Sequence, residues 1–443
     1  MIETKETLSI FTGAPDNRGT EFIIGFMENY QTKFQLELFV TTSRTTNVNV
    51  KVTAPKYPSA KLNEQFTITA GQVKQLQFTN TLRLIQTEFS SKAVHVVADD
   101  EIVIYGVNKE TYSNDAFLGL PTDVLGKKYY AICYYPPTRN TEILVVGVED
   151  NTAVTMKLAD HSRISFKYGS KTYKKKDTLN VKLNRFDTFQ IATYGDLTGT
   201  YITADKKISV FSGNRKTNVG KGGSQDHLVE HLTPVDVWGM NFATVPTPDR
   251  TTGDYFRFIA SEDDTNIKID GQIKGKAFKQ DIKISKAGQF VQKHYDSKLY
   301  SHVTADKPIL LVQYVLSQQS SSEPSDPAML IIPPIEQYGA DYSFATPKYS
   351  KGSYINYFMF VVKEKEKTGL ILDSKAISGV TFNTIPGTDY VGGFVKISEG
   401  SHTVRHQSPI SVFGGYLFGR ARAESYGFTT GMRLAPINVV SLL

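Results

Sequence analysis

One cysteine, one tryptophan and no long apolar run set the first limits on this chain of 443 residues. With Cys133 alone, an intrachain disulfide and any metal site built from several cysteines are excluded. Tyr134, Tyr135 and Pro136 follow it after an apolar stretch, which reads as a buried thiol. A reactive thiol requires nearby positive charge to lower its pKa, and the sequence places none beside it. A chain without disulfides usually belongs to a reducing compartment, but domains with an adequate core need no bridges. No run of about 18 apolar residues exists, so no helix should span a membrane. Met1 to Glu6 is polar and lacks the apolar centre of a secretory signal, so a secreted protein would stand here in trimmed form. Charge of one sign is also missing: 50 basic against 44 acidic residues give +6, too even for a nucleic-acid partner. No amphipathic helix longer than two turns can be traced.

What is present is strand. Forty per cent of residues are hydrophobic and 12% aromatic, enough for a packed core. Leu36-Glu37-Leu38-Phe39-Val40, Val48-Asn49-Val50-Lys51-Val52 and Ile267-Lys268-Ile269-Asp270 alternate apolar and polar residues, the pattern of a half-buried strand. Ile102-Val103-Ile104-Tyr105, Leu144-Val145-Val146, Ile309-Leu310-Leu311-Val312 and Phe358 to Val362 are continuous apolar runs and read as strands buried on both faces.

A phrase recurs at about one hundred residues. It reads Val97-Ala98-Asp99, then Thr203-Ala204-Asp205, then Thr304-Ala305-Asp306, with a decayed copy at Arg405-His406-Gln407-Ser408-Pro409-Ile410. The aspartates are 106 and 101 residues apart. A fixed period decides architecture before any single residue does. The expectation is an all-β protein of four tandem β-sandwich-like repeats, residues 1–127, 128–240, 241–340 and 341–443, packed together. A β-propeller-like ring is the alternative, since each repeat has room for two blades. The Ala-Asp phrases are expected to be turns. Glu149-Asp150-Asn151-Thr152 and Glu262-Asp263-Asp264-Thr265 are expected to be hairpin turns, because Asx side chains bond their own backbone. One Asp pair brings too few oxygens for calcium.

A second phrase ends each repeat. Pro121 to Gly126, Pro234 to Gly239 and Pro334 to Gly339 keep one separation, with Leu125, Trp238 and Tyr338 before the glycine and a truncated copy at Ala435-Pro436-Ile437. Such a connector should plug one repeat against the next, with Trp238 in a seam. A polar loop then opens each repeat: Pro136-Pro137-Thr138-Arg139-Asn140, Pro246 to Gly253 with Arg250, and Pro347 to Gly352 with Lys351. Equivalent loops of tandem repeats emerge on one face, which makes Arg139, Arg250 and Lys351 candidate binding residues. The densest basic patch, Lys167 to Asp177, adds Lys171, Lys174, Lys175 and Lys176 as candidates for an anionic ligand. A solvated hairpin tip explains the same patch without a ligand.

Catalytic patterns are weak. His227-Leu228-Val229-Glu230-His231 has the H-x-x-E-H spacing of inverted zinc peptidases, which needs a helix to place both imidazoles on one face. Only about two turns fit between Gly223 and Pro234, and the equivalent Ser113 to Leu120 carries no histidine, so a structural segment without metal is expected. His95 and His302 stand just ahead of Ala-Asp phrases, with His402 close to the fourth, and read as partly buried structural histidines. No phosphate loop or nucleophile elbow is present, and no cofactor is expected.

Gly19-Thr20-Glu21-Phe22 with Phe26 and Asn29, the Ala-Asp phrases, and Ser224-Gln225-Asp226-His227-Leu228-Val229-Glu230-His231-Leu232-Thr233-Pro234-Val235-Asp236-Val237-Trp238-Gly239 resemble the IgGFc-binding protein N-terminal domain family. The resemblance runs from about Ser9 to Ile437. It implies an extracellular or surface module of mucus-type glycoproteins, associated with binding and adhesion. The expected function is therefore non-enzymatic binding of a protein or glycan ligand, with no nucleic acid and no membrane insertion. The alternative from another class is a hydrolase acting on glycans or peptides.

Overall fold

Alternation in the sequence becomes alternation in space. In the strand Val48–Thr53, Val48, Val50 and Val52 point inward while Asn49 and Lys51 face solvent. The continuous run Thr141–Gly147 is buried along its whole length, because it lies between other strands and is covered on both faces. The computed structural model describes residues 15–31, 35–110, 112–135, 138–160, 163–318, 324–349, 351–422 and 424–438. Within them the chain is mostly β, and the helical elements are short 3-10 turns. The polar opening Met1 to Glu6, Pro136-Pro137 and Ser350 lie outside the described residues.

In the first and third copies the Ala-Asp phrases are not turns. Ala98-Asp99 lies inside one strand, Val94–Glu110, and Ala305-Asp306 inside its counterpart Leu299–Val315. Each of these strands serves two groups of partners. The first half of Val94–Glu110 pairs with Gly19–Ile24 and Val48–Thr53, the second half with Leu36–Thr41 and Ser113–Leu118. The aspartate marks the crossing point, where the strand leaves one group for the other. Asp99 accepts from the Asn49 amide (2.8 Å) and Nδ2 (2.7 Å), and Asp306 does the same with Asn266 (2.8 and 2.7 Å). Asp205 accepts from the Ala153 amide at 2.8 Å. In the second copy the strand breaks at the crossing into Tyr201–Ala204 and Ile208–Thr217, and in the fourth into Ser401–His406 and Gly414–Ala421.

The pairing order around this divided strand recurs. Lys276–Ile284, Thr265–Ile273, Leu299–Val315 and Gly239–Thr244 follow one another as Asn63–Ile68, Val48–Thr53, Val94–Glu110 and Gly19–Ile24 do. Thr178–Leu183, Thr152–Lys157, Tyr201–Ala204 and Lys128–Tyr130 repeat the order, and Lys375–Ala376, Leu370–Leu372, Ser401–His406 and Asp341–Ala345 repeat it again. The Glu149–Thr152 and Glu262–Thr265 segments do turn the chain, with Asn151 and Asp264 in the left-handed region at φ 57 and 52. They are not hairpins. Each connects strands that do not pair, Thr141–Gly147 to Thr152–Lys157 and Asp254–Ala260 to Thr265–Ile273, and so arches from one group to the other. Thr152 and Thr265 hydroxyls hold both arches by donating to the Glu149 and Glu262 carbonyls (2.7 and 2.8 Å).

Four fully buried strands, one from each recurrence, meet in the middle. Ser113–Leu118 packs against Asp226–His231 and Glu424–Thr429, and Ala328–Ile331 also packs against both, closing a cycle. Residues 15–17 and 432–434 also come together. The backbones of Asp16 and Arg433 form an isolated antiparallel β-bridge, the Asn17 amide donates to the Met432 carbonyl, and the Leu434 amide donates to the Pro15 carbonyl. The connectors seat on each other: there is no room for a β-carbon on Gly19 against Pro121, on Gly126 against Pro234 or on Gly239 against Pro334. Leu125, Trp238 and Tyr338 are each buried, as their repeated position implies.

Candidate binding surface

The repeated order puts two kinds of loop at one end of the molecule. The first kind opens each recurrence, the second joins the divided strand to its central partner. Named contacts tie them together, within a recurrence (Arg139 to Lys216, Tyr349 to Arg422) and between recurrences (Lys109 to Lys348, Val219 to Ser317). The Arg139 amide donates to the Lys216 carbonyl at 2.8 Å, and Lys109 Nζ donates to the Lys348 carbonyl at 2.8 Å. Val219 donates to Ser317 Oγ at 2.8 Å, and Tyr349 donates through its hydroxyl to the Arg422 carbonyl at 2.8 Å.

Cations and tyrosine rings alternate over this end. The Arg139 guanidinium lies 5.5 Å and Lys216 Nζ 4.4 Å from the Tyr30 ring centre, and Lys351 Nζ lies 3.6 Å from that of Tyr112. Lys216 also reaches the Tyr112 carbonyl at 3.4 Å, which links the two clusters. Stacking a cation on an exposed aromatic face contributes about 0.5–1 kcal/mol, so these side chains hold one another in place while staying accessible. Tyr112 adopts φ 58 in the tight turn after Val94–Glu110, and the residue is 44% exposed. A left-handed tyrosine costs roughly 1–2 kcal/mol of backbone strain, and here it sets an aromatic ring on the surface.

Of the expected binding residues, Arg139 and Lys351 come into this surface. Arg250 does not: its side chain is buried, and it donates to the Leu316 and Ser317 carbonyls at 2.9 and 3.2 Å. The loop around it packs inward, and the guanidinium caps the end of Leu299–Val315. Lys171, Lys174, Lys175 and Lys176 form a separate group on the exposed hairpin of Ser165–Tyr168 and Lys171–Lys174. Phe166 and Tyr173 stack there at 5.5 Å, with Lys171 over Tyr173. Lys175 and Lys176 pair with Asp160.

Tyr30, Tyr112 and Lys216 were not singled out as binding residues from the sequence. The signal was the offset between loops: Tyr112 lies two residues beyond the long strand, at the position equivalent to the loop after Ile208–Thr217.

Beneath the cation-aromatic surface sit buried carboxylates, one carried by each central strand or the residues just before it. Asp115 accepts from the amides of Ala116 (2.9 Å), Val229 (3.2 Å) and Gly427 (3.4 Å), and also from Met329. One carboxylate thus gathers amides from all four recurrences. Asp226 accepts from His227 (2.8 Å) and Ser425 (3.4 Å), and Glu424 from Asn114 Nδ2 and the Tyr354 hydroxyl, both 2.9 Å. Burial raises the pKa of Asp115 and Asp226 well above the usual range, and mutual repulsion with Asp326 and Glu424 adds to it for Asp226. Burial pushes Asp326 up to about 6, against the pull of a Ser224 hydrogen bond and of Lys216.

His227 to His231 forms a buried strand, not a helix. His227 Nε2 meets Asn108 Nδ2 at 3.0 Å, His231 Nδ1 accepts from the Leu120 amide at 3.0 Å, and His231 Nε2 meets Ser209 Oγ at 3.0 Å. Glu230 accepts from the Ile331 amide at 2.9 Å. Burial lowers both histidines to about 3, so the neutral rings act as hydrogen-bonding struts between recurrences. Among the described residues no three His, Cys, Asp or Glu side chains gather in a metal-holding arrangement. Cys133 is buried, with its thiol directed at the Glu142 carbonyl at 3.6 Å, and burial raises its pKa. Among the described residues no helix is long and apolar enough to cross a membrane.

Comparison with known proteins agrees with this residue pattern. The chain is 23% identical over 416 residues to the human IgGFc-binding protein, across 92% of its own length. It spans 7% of the length of that relative. Residues 115–419, more than half of the chain, match the family described as IgGFc binding protein, and the chain belongs to that family.

Proposed function

We propose that this protein is a non-enzymatic, extracellular or surface-exposed binding module, used in adhesion or mucus- and matrix-type interaction, with protein or glycan partners. Its architecture in this reading is four tandem β-sandwich-like units with boundaries near residues 127, 240 and 340. Units one, two and four supply the cations and rings of one shared face. The observation that carries the proposal is the contact of Arg139, Tyr30, Lys216, Tyr112 and Lys351 across recurrences on that face. Tyrosine and arginine are enriched at recognition surfaces because they give large contact area with a polar tip. Family membership supports the same class of function.

The human relative is named for binding the Fc part of IgG, so Fc fragments belong among the proteins tried. The test is an array of glycans and proteins, Fc included, probed with the intact chain and with Tyr112→Ala/Lys351→Ala. A ligand retained by the parent and weakened at least tenfold by the double substitution supports the loop face. A ligand bound equally by both moves binding elsewhere, and turnover of a ligand would replace the binding reading with the hydrolase.

A further inference from the structure

A cleft of about 770 Å³ opens between the second and third recurrences and is lined by none of the residues named on the loop face. One wall is a row across three neighbouring strands, from buried Tyr130 to exposed Lys157. Lys157 stands opposite Tyr201, and Tyr201 opposite Tyr130, so the three side chains share one sheet face. The two rings stack at 4.7 Å with 28° between planes. Trp238 lies behind Tyr130 at 5.9 Å. The far wall is the turn before Phe290–Tyr295, where Lys286 pairs with Asp263 at 2.8 Å. The near rim carries Lys176 paired with Asp160 at 2.9 Å.

The walls are held close by two glycines. Gly199 and Gly288 have φ 83 and 77, and a β-carbon on Gly199 would strike the Gly288 carbonyl. A β-carbon on Gly288 would lie 2.8 Å from Tyr130 Cε1, in that row. The volume falls in the range of roughly 300–1,000 Å³ usual for small-ligand sites.

The chemistry of the lining is specific. An aromatic platform along one wall of a polar cleft suits the C–H face of a pyranose ring. Carboxylate and ammonium groups around it suit the ring hydroxyls. Both cleft carboxylates already neutralise a lysine, whereas Lys157 makes no ion pair among the described residues. Lys175 adds further positive charge at the Asp160 rim. An unneutralised ammonium in a cleft with low-dielectric walls focuses potential and favours an anionic group.

We infer that this cleft is a binding site for an acidic glycan, with the pyranose face on Tyr201 and its carboxylate or sulfate on Lys157. The inference rests on the binding-module reading and names a ligand class and a site for it. Sialylated and sulfated sugars share the recognised chemistry and are separate arms of the test.

The intact chain is titrated with a sialylated oligosaccharide, a sulfated oligosaccharide and the neutral parent sugar. Calorimetry reads affinity, and fluorescence of Trp238, the one tryptophan, reads occupancy of the cleft. The expected result is saturable binding of one or both acidic sugars with a change in Trp238 emission. The neutral sugar binds at least tenfold more weakly. Tyr201→Ala and Lys157→Glu each weaken binding at least tenfold, and Lys268→Glu, on an exposed strand position elsewhere, does not. Circular dichroism and an unchanged unfolding midpoint verify that the variants fold. Equal binding of neutral and acidic sugars overturns the acidic specificity. Acidic-glycan binding that survives both cleft substitutions overturns the site while leaving the binding-module reading intact. No sugar bound overturns the inference, and a ligand found on the protein arm of the array then leaves the binding-module reading intact.

Discussion

Pro234 seats on Gly126 so closely that the glycine cannot accept a β-carbon. The residue that begins one connector rests on the residue that ended the one before it. Pro334 stands in the same relation to Gly239, and Pro121 packs on Gly19 with as little room. Spacing in the sequence therefore acts as a ruler: Pro234 and Pro334 each fill the space that a β-carbon on the preceding connector's last glycine would need. Gly126→Ala should destabilise the protein by about 1–3 kcal/mol through overpacking. Denaturant unfolding of Gly126→Ala beside Gly223→Ala checks this, because Gly223 has open space around its Cα. Equal stability of the two variants would remove the connectors from the account.

Arg257 bridges the second and third recurrences from inside. Its Nη1 donates to the Cys133 carbonyl (2.6 Å), Thr198 Oγ1 (2.7 Å) and Asp196 (3.2 Å), and its guanidinium stacks on Phe290 at 4.4 Å. Both members of the ion pair are buried. Removing one side of such a pair typically costs about 3–5 kcal/mol, because the other charge stays desolvated. Arg257→Leu should lose stability of that order and increase amide exchange in Lys128–Tyr130 and Phe290–Tyr295. Exchange confined to the mutated strand would contradict a bridging role.

Acid and base should act on the centre in opposite directions. A buried carboxylate with a raised pKa contributes stability that is full below its unfolded value and is lost as pH rises through the folded one. For Asp326 that window runs from about 3.9 to about 6. His227 and His231, lowered to about 3, contribute stability that is full above about 6.5 and is lost as pH falls. Asp326→Asn removes a titrating group and the repulsion it exerts on Asp226. The variant should therefore lose less stability than the parent between pH 4 and pH 7, by on the order of 3 kcal/mol. Urea midpoints across that range measure it, and parallel curves for parent and variant would refute the central carboxylates as the source.

Trp238 is 2% exposed, packs on Tyr130 and donates from its indole nitrogen to the Thr233 carbonyl at 3.2 Å. Trp238→Ala should cost about 3–5 kcal/mol, the usual range for a buried aromatic. Acrylamide should quench the native protein far less than the unfolded one. Ready quenching in the native state would contradict the packing.

The connectors and strands were legible because each carries a local signal: a period of two along strands, and Pro and Gly at a fixed separation. The bend at Asp99 read as a turn because its composition is that of a turn. Only the pairing of Val94–Glu110 with strands on both sides keeps it extended, and pairing is not local. Arg250 read as exposed for a related reason. Its neighbours Pro248, Asp249 and Thr252 suit a surface loop, but the carbonyls of Leu316 and Ser317, distant in sequence, draw it inward. Tyr130 and Tyr201 looked like ordinary strand residues, and their joint place in the cleft depends on the register between two short strands.

The account depends most on the recurrences forming one body, since separate units could not present loops as one face. Electron spin distance measurement tests this directly, with labels on Lys51→Cys and Lys268→Cys. Both positions are exposed on strands of the first and third recurrences, and buried Cys133 leaves no competing site. The account predicts one narrow distance distribution. A broad distribution, or several separated maxima, would contradict it.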